Sequence, residues 1–176
     1  LMDEQDMRKM GGLYKILPFT YTMFLIGSLA LMGFPFLTGF YSKDVILEIA
    51  YSSYSFYGIF AYWLGILSAV FTAFYSFRLL YLTFYSKTFG YKSVIYNVHE
   101  CSSFMFFSLI CLCIGSIFFG FLFKDLFIGL GSTFFNHSIF VKNSITSDLD
   151  AEFLPTIIKL LPVIFSLIGM LSALSL

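Results

Sequence analysis

The chain has 176 residues, with ten Lys and Arg, ten Asp and Glu, and a net charge of zero. Hydrophobic residues make up 59% of the chain and charged residues 11%, against about 45–50% and about 25% in a typical soluble domain. This composition excludes a soluble enzyme, a disordered tail and a nucleic-acid-binding protein that relies on a basic surface. The class that remains is an all-α integral membrane protein.

Charged and apolar runs divide the chain into about five predicted transmembrane helices. Residues 1–15 hold the densest charge cluster and are predicted to form a surface loop. The predicted spans are 16–33, 34–54, 57–84, 102–123 and 154–175, joined by loops over 85–101 and 124–153. The Lys and Arg count of the loops and their net charge point to opposite orientations, so charge alone leaves the membrane orientation open.

The second predicted span, 34–54, contains three ionisable residues, Lys43, Asp44 and Glu48. A charge at the centre of a bilayer costs about 2.5–3.5 kcal/mol on insertion scales. Burial disfavours the ammonium of Lys43, whereas the adjacent Asp44 favours it, so the lysine could release and rebind a proton. This is the physical basis of a proton relay. In the alternative interpretation, Lys43 lies at a helix end, reaches the lipid headgroups and has no role in transport.

The same span is predicted to be a broken helix, because it contains several residues at which helix hydrogen bonds can fail. These residues are Pro35, Thr38, Gly39 and Ser42. Broken helices at mid-membrane depth recur at ion sites. Thr38, Ser42 and Glu48 are therefore further candidates for a proton pathway through Lys43 and Asp44.

Two later segments predict how helices pack. Small residues recur every four positions in the third span, which would let another helix approach closely; they are Ala61, Gly65, Ala69 and Ala73. In the fifth span Pro162 removes a backbone donor, so we expect a kink unless a neighbour satisfies the freed carbonyl. Arg78 is interpreted as an interface anchor, with a relay role as the alternative. His99, beside Glu100 in a predicted loop, is interpreted as a solvated residue.

Sequence motifs for cofactors are absent. Cys111 and Cys113 would point about 200° apart on a helix and cannot hold one metal ion together. The sequence has no HExxH, no CxxC and no phosphate-binding glycine loop. We therefore expect no redox site, no metal site and no cofactor bound by this chain.

Three segments carry a more specific signal: DEQDMRKMGGL at 3–13, IGSLALMGFPFLTGFYSKD at 26–44 and YSFRL at 75–79. They resemble the chain 5 family of mitochondrial NADH:ubiquinone oxidoreductase, antiporter-like membrane subunits of respiratory complex I that are related to Mrp-type sodium/proton antiporters. The resemblance implies helices eleven to fifteen of the Mrp antiporter-like fold, from the C-terminal half of such a subunit. Lys43 falls on the family's lysine in the broken twelfth helix, and Asp44 falls on the acid that follows it.

The resemblance also implies a function. The chain would be a proton-translocating fragment of the membrane arm, and an enzyme only as part of the proton-pumping NADH:ubiquinone reductase. NADH, FMN, iron–sulfur clusters and ubiquinone would be held by other subunits. Expected partners are the remaining pieces of a split subunit, other membrane-arm subunits and lipids, but no nucleic acid, in a multi-pass location in the mitochondrial inner membrane.

Alternatives stay open from the sequence. The chain could belong to an Mrp-type sodium/proton antiporter outside respiration, or it could be a purely structural piece of the membrane arm. A truncated copy of a longer chain is the alternative to a split subunit.

Overall fold

A computed structural model of the chain describes residues 6–89, 95, 98–127, 129, 134 and 151–175. The regular structure in these residues is helical, which confirms the all-α class. The helices long and apolar enough to cross a membrane are Phe56–Tyr85, Ser103–Phe127 and Thr156–Ser175, and a shorter apolar helix covers Pro18–Met32. Of the predicted loops, the first is described at 85–89, 95 and 98–101, and the second at 124–127, 129, 134 and 151–153 only.

The described part of the N-terminal segment forms two short 3₁₀ turns, Met7–Lys9 and Leu13–Lys15. Asp6 caps the first turn, because its carboxylate accepts hydrogen bonds from the backbone and the guanidinium of Arg8, each 3.0 Å long. These bonds hold the pKa of Asp6 below its usual value. The side chain of Arg8 is exposed, in agreement with a surface segment.

Helix α1, Pro18–Met32, begins with its proline and ends at a glycine. Proline suits the first position of a helix because the missing N–H has no helical acceptor there. At the other end Gly33 adopts a left-handed conformation, with φ of 81°. The Gly33 N–H donates to the carbonyl of Ala30 at 3.2 Å, and the Phe34 N–H donates to that of Leu29 at 3.1 Å. These two bonds satisfy carbonyl groups in the last turn of α1, and the left-handed glycine ends the helix there.

The carboxylate of Glu100 holds the other end of α1. It accepts hydrogen bonds from the backbone N–H of Phe19 at 3.0 Å and from the hydroxyl of Thr20 at 2.9 Å. A negative charge is favourable at a helix N-terminus because the first amides point towards it. Glu100 thereby attaches the segment before the fourth span to the first, whereas the neighbouring His99 is exposed.

The second span is helical from 38 to 52 without a gap. It begins with a π-helical turn, Phe40–Asp44, and continues as α2, Val45–Ser52. In a π turn the backbone hydrogen bond reaches back five residues instead of four. The non-helical residues 33–37 connect α1 to this helix, and at Thr38, Gly39 and Ser42, where the sequence predicts a break, the structure has a continuous helix with a widened turn.

Helix α3, Phe56–Leu80, is the central element, and α1, α2 and the last helix all pack against it. The hydroxyl of Ser55 caps its start by accepting the Gly58 N–H at 3.0 Å. A second π turn, Tyr81–Tyr85, extends the helix. The whole helix thus agrees within a residue with the predicted span 57–84.

The fourth span comprises α4 (Ser103–Ile114), a third π turn (Gly115–Phe119) and α5 (Gly120–Phe127). It ends four residues beyond the predicted limit of 123, and none of its residues is buried by the described part of the chain. The fifth span is α6, Thr156–Ser175, with Pro162 in its interior.

The predicted stripe of small residues packs α3 against its neighbours. Ala69 and Ala73 are buried, and Gly65 lies against the side chain of Leu47. On the facing helix, a Cβ added to Gly169 would press on the backbone carbonyl of Val70. Small side chains on both helices therefore allow α3 and α6 to approach closely, whereas Ala61 at the end of the stripe is exposed.

Candidate functional site

Lys43 points into the bundle and towards α3. Its Nζ donates a hydrogen bond to the Oγ1 of Thr72 at 3.2 Å, and its side chain is half-buried. The Thr72 hydroxyl in turn donates to the carbonyl of Ala69 at 2.9 Å. The threonine oxygen thus has its proton engaged on its own helix and offers a lone pair to the ammonium.

The position of Thr72 gives the depth of this contact. Thr72 is the seventeenth of the 30 residues in the helix Phe56–Tyr85. At about 1.5 Å per residue, the threonine lies within about 3 Å of the helix midpoint along the helix axis. A span of this length is longer than the roughly 30 Å hydrocarbon layer, so its midpoint lies well inside that layer. This geometry disfavours the interpretation in which Lys43 merely reaches the headgroups.

Asp44 is buried next to the lysine without pairing with it. The residue is 4% exposed, and its Oδ2 has no hydrogen-bond partner among the described residues. Gly33, at the end of α1, faces both side chains, because a Cβ there would lie 3.8 Å from the Oδ1 of Asp44 and from the Cδ of Lys43. Burying an unpaired polar oxygen is costly, so this atom marks a place that accommodates a proton or a further donor.

Glu48 continues the row of ionisable groups along the same helix. It is half-buried one turn after Asp44 and faces the same side of α2. The cations whose charges act on its carboxylate are Lys159 on α6 and Lys124 on α5.

The two hydroxyl candidates at the start of this span face elsewhere. Thr38 Oγ1 lies 3.0 Å from the carbonyl oxygen of Gly115 and 2.9 Å from that of Ser116. The exposed Ser42 hydroxyl lies 3.3 Å from the carbonyl oxygens of Thr38 and Gly39 on its own helix. Neither hydroxyl bonds to the ammonium of Lys43, and a pathway role for them stays a prediction.

Two residues of the site were missed by sequence reasoning. Thr72 lies one position before Ala73 of the small-residue stripe, and its distance of 29 positions from Lys43 hides the contact. Tyr62 is one of 12 tyrosines, and its sequence context does not mark it as special. It is 1% exposed and lies between α2 and α6.

Among the described residues no group of His, Cys, Asp or Glu could hold a metal ion. The three cysteines are free thiols. Arg78 is exposed on α3, with its guanidinium 6.0 Å from the centre of the Phe74 ring. The role of Arg78 as an interface anchor stays a prediction.

Comparison with known proteins shows what the chain is similar to. A family model described as NADH:quinone oxidoreductase/Mrp antiporter, TM, matches residues 1–72, which include Lys43, Asp44, Glu48 and Thr72. A protein of Phytophthora infestans named NADH-ubiquinone oxidoreductase chain 5 is 60% identical over 171 residues, 97% of this chain and 26% of that protein. The chain is homologous to NADH-ubiquinone oxidoreductase chain 5. The resemblance found in the sequence is thereby confirmed.

Other proteins with the same name come from distant lineages. The chain 5 of Marchantia polymorpha is 56% identical over 172 residues, and that of Acanthamoeba castellanii is 54% identical over 170 residues. These matches cover 96% and 97% of this chain and 25% of each relative. The chain therefore spans about a quarter of the length of the chain 5 proteins that it matches.

Proposed function

We propose that this chain is part of the proton-translocating membrane arm of respiratory complex I in the mitochondrial inner membrane, and that Lys43 is a proton-loading residue. The observation that carries the proposal is the inward contact between Lys43 and Thr72, near the midpoint of the helix Phe56–Tyr85. The names of the relatives and of the matching family support the assignment to this complex.

The local chemistry suits a residue that gains and loses a proton. Thr72 supplies a neutral acceptor that orients the ammonium of Lys43 without fixing its charge, as a permanently ionised partner would. A negative charge on Asp44 stabilises the ammonium through space, and loss of that charge removes the stabilisation. Proton arrival at Asp44 and proton release from Lys43 are thus coupled electrostatically.

The other components of the complex would lie outside this chain. NADH, FMN, iron–sulfur clusters and ubiquinone would be bound by other subunits, and the energy of electron transfer would reach Lys43 through charged residues of its neighbours. The proposed partners are the other membrane-arm subunits, lipids, and the rest of the same antiporter-like subunit, on the same polypeptide or another.

The test replaces the lysine in the assembled complex. Lys43→Ala should lower the number of protons pumped per NADH oxidised in reconstituted vesicles while electron transfer is partly retained. Lys15→Ala is the matched control, because Lys15 is exposed at the membrane surface and outside the bundle. An unchanged pumping ratio in Lys43→Ala would favour a purely structural role for the chain.

A second candidate is an Mrp-type sodium/proton antiporter, because the matching family model includes those proteins. The two functions differ in partners and in the coupling ion. Co-purification of the chain with flavin and iron–sulfur subunits supports the respiratory complex. Sodium-dependent proton exchange by a particle that lacks those subunits would support the antiporter instead.

A further inference from the structure

Tyr62 donates the hydrogen bond that Pro162 cannot. In a regular helix the N–H of residue 162 would bond to the carbonyl of Ile158, but proline has no N–H. The hydroxyl of Tyr62 donates to this carbonyl at 2.8 Å, from the adjacent helix α3. Tyr62 is therefore the neighbour that satisfies the freed carbonyl, and its bond attaches α6 to α3.

The same tyrosine lies against the helix that carries the carboxylates. Its ring packs with Leu47, the residue before Glu48, and makes an edge contact with Tyr51 at a centroid distance of 5.0 Å. Tyr62 thus touches α2 with its ring and α6 with its oxygen.

The residue that follows the bonded carbonyl is Lys159, and Glu48 follows Leu47, which packs on the ring of the same tyrosine. The Nζ of Lys159 donates to the carbonyl of Glu152 at 2.8 Å, so its ammonium is held at the segment that precedes α6. Any rotation of this first part of α6 would move Lys159 relative to Glu48. The bond from Tyr62 to Ile158 fixes that rotation.

We propose that Tyr62 is a positioning residue for proton translocation: it holds the proline-opened turn of α6, and with it Lys159, beside the segment of α2 that carries Glu48. This inference rests on the proposed function. The ionisable groups then follow one another from mid-membrane towards the end of the bundle where α2 ends and α6 begins. Glu48 is about 7.5 Å further along the helix axis than Lys43, and Lys159 lies in the first turn of α6.

The first experiment removes only the hydroxyl. Tyr62→Phe in the assembled complex should lower proton pumping per NADH by about twofold, a size in keeping with the loss of one neutral hydrogen bond. Tyr57→Phe on the same helix is the control, because Tyr57 is 82% exposed. Lys159→Gln should give a similar loss, and the double variant should lose no more than the larger single effect. A purely structural tyrosine would instead lower the amount of assembled complex and leave the ratio unchanged, which would overturn the proposal.

A second variant tests whether Tyr62 acts by positioning α6 or only by giving the carbonyl of Ile158 a hydrogen-bond donor. Pro162→Ala supplies a backbone N–H for Ile158, so in Tyr62→Phe it restores a bonded carbonyl without restoring the hydrogen bond between α3 and α6. We expect the pumping ratio of this double variant to stay low. Its recovery to the control value would overturn the positioning role. If Lys43→Ala leaves the ratio unchanged, the proposed function itself fails; if it lowers the ratio and Tyr62→Phe does not, only this inference fails.

Discussion

The backbone N–H of Gly120 donates its hydrogen bond to the hydroxyl of Thr38, 3.1 Å away on another span. The same hydroxyl lies within hydrogen-bond distance of the carbonyls of Gly115 and Ser116. The hydroxyl of Thr38 thus bonds to backbone groups at both ends of the π turn of the fourth span. This arrangement joins the start of the Lys43 helix to the fourth span, Ser103–Phe127, in which the described part of the chain buries no residue.

Thr38→Val should weaken this connection, because valine has the same shape and neither donor nor acceptor. The backbone groups of the π turn would lose their partner inside an apolar layer, at a cost of about 1–3 kcal/mol. The measurement is the temperature at which the assembled complex loses this chain, which we expect to fall. Thr38→Ser keeps the hydroxyl and should stay close to the unaltered chain; equal loss in both variants would show that the methyl group, not the hydroxyl, matters.

Gly39→Ala should separate α1 from the helix that carries Lys43. A Cβ at this position would overlap the backbone carbonyl oxygen of Ala30. Relief requires the two helices to move apart by about 1 Å or more, since non-bonded atoms pack near 3.5 Å. We expect less assembled complex and a lower pumping ratio.

Gly27→Ala is the matched control for this change. Gly27 lies within α1, and a Cβ there would meet no atom within 4 Å. Because alanine is favoured over glycine in a helix by about 1 kcal/mol, this variant should be unchanged or slightly more stable. Equal effects of the two substitutions would contradict a role for the close contact at Gly39.

Much of the fold is predictable because single residues determine where a helix begins, where it ends and where it can pack closely. Helix α1 begins at Pro18 and ends at Gly33. The spacing of Gly65, Ala69 and Ala73 predicts a close helix contact. Pro162 predicts that one carbonyl needs a new donor. These inferences depend on backbone chemistry within one helix, and they hold wherever the helix is placed.

The contacts between helices are harder to predict for a physical reason. Periodicity tells which residues share a face, but not which neighbour that face meets or at what height. Thr72 and Tyr62 are therefore found only in the structure, at 29 and 96 positions from Lys43 and Ile158 respectively. The π turn at Phe40–Asp44 shifts a hydrogen bond by one residue and leaves no mark in composition.

The acceptor of the Lys43 ammonium offers the most direct test of the site. Thr72→Val preserves the packing of α3 but leaves the ammonium without its hydrogen-bond partner, which disfavours the charged form in the hydrocarbon layer. Because the lysine would then hold its proton less readily, we expect the rate of proton pumping to fall by about tenfold or more, in keeping with about 1.5–3 kcal/mol for one hydrogen bond to a charged group.

Two control variants and one control measurement test whether the effect of Thr72→Val comes from its hydroxyl. Thr72→Ser retains the hydroxyl and should pump like the unaltered chain. Ser68→Ala removes an exposed hydroxyl one turn earlier on α3, which bonds only to the carbonyl of Gly65 at 3.1 Å, and should have no effect. Electron transfer measured with an uncoupler should stay near normal in all three variants, since none touches a redox group. Normal pumping in Thr72→Val would mean that the lysine is held by its burial and by Asp44 alone.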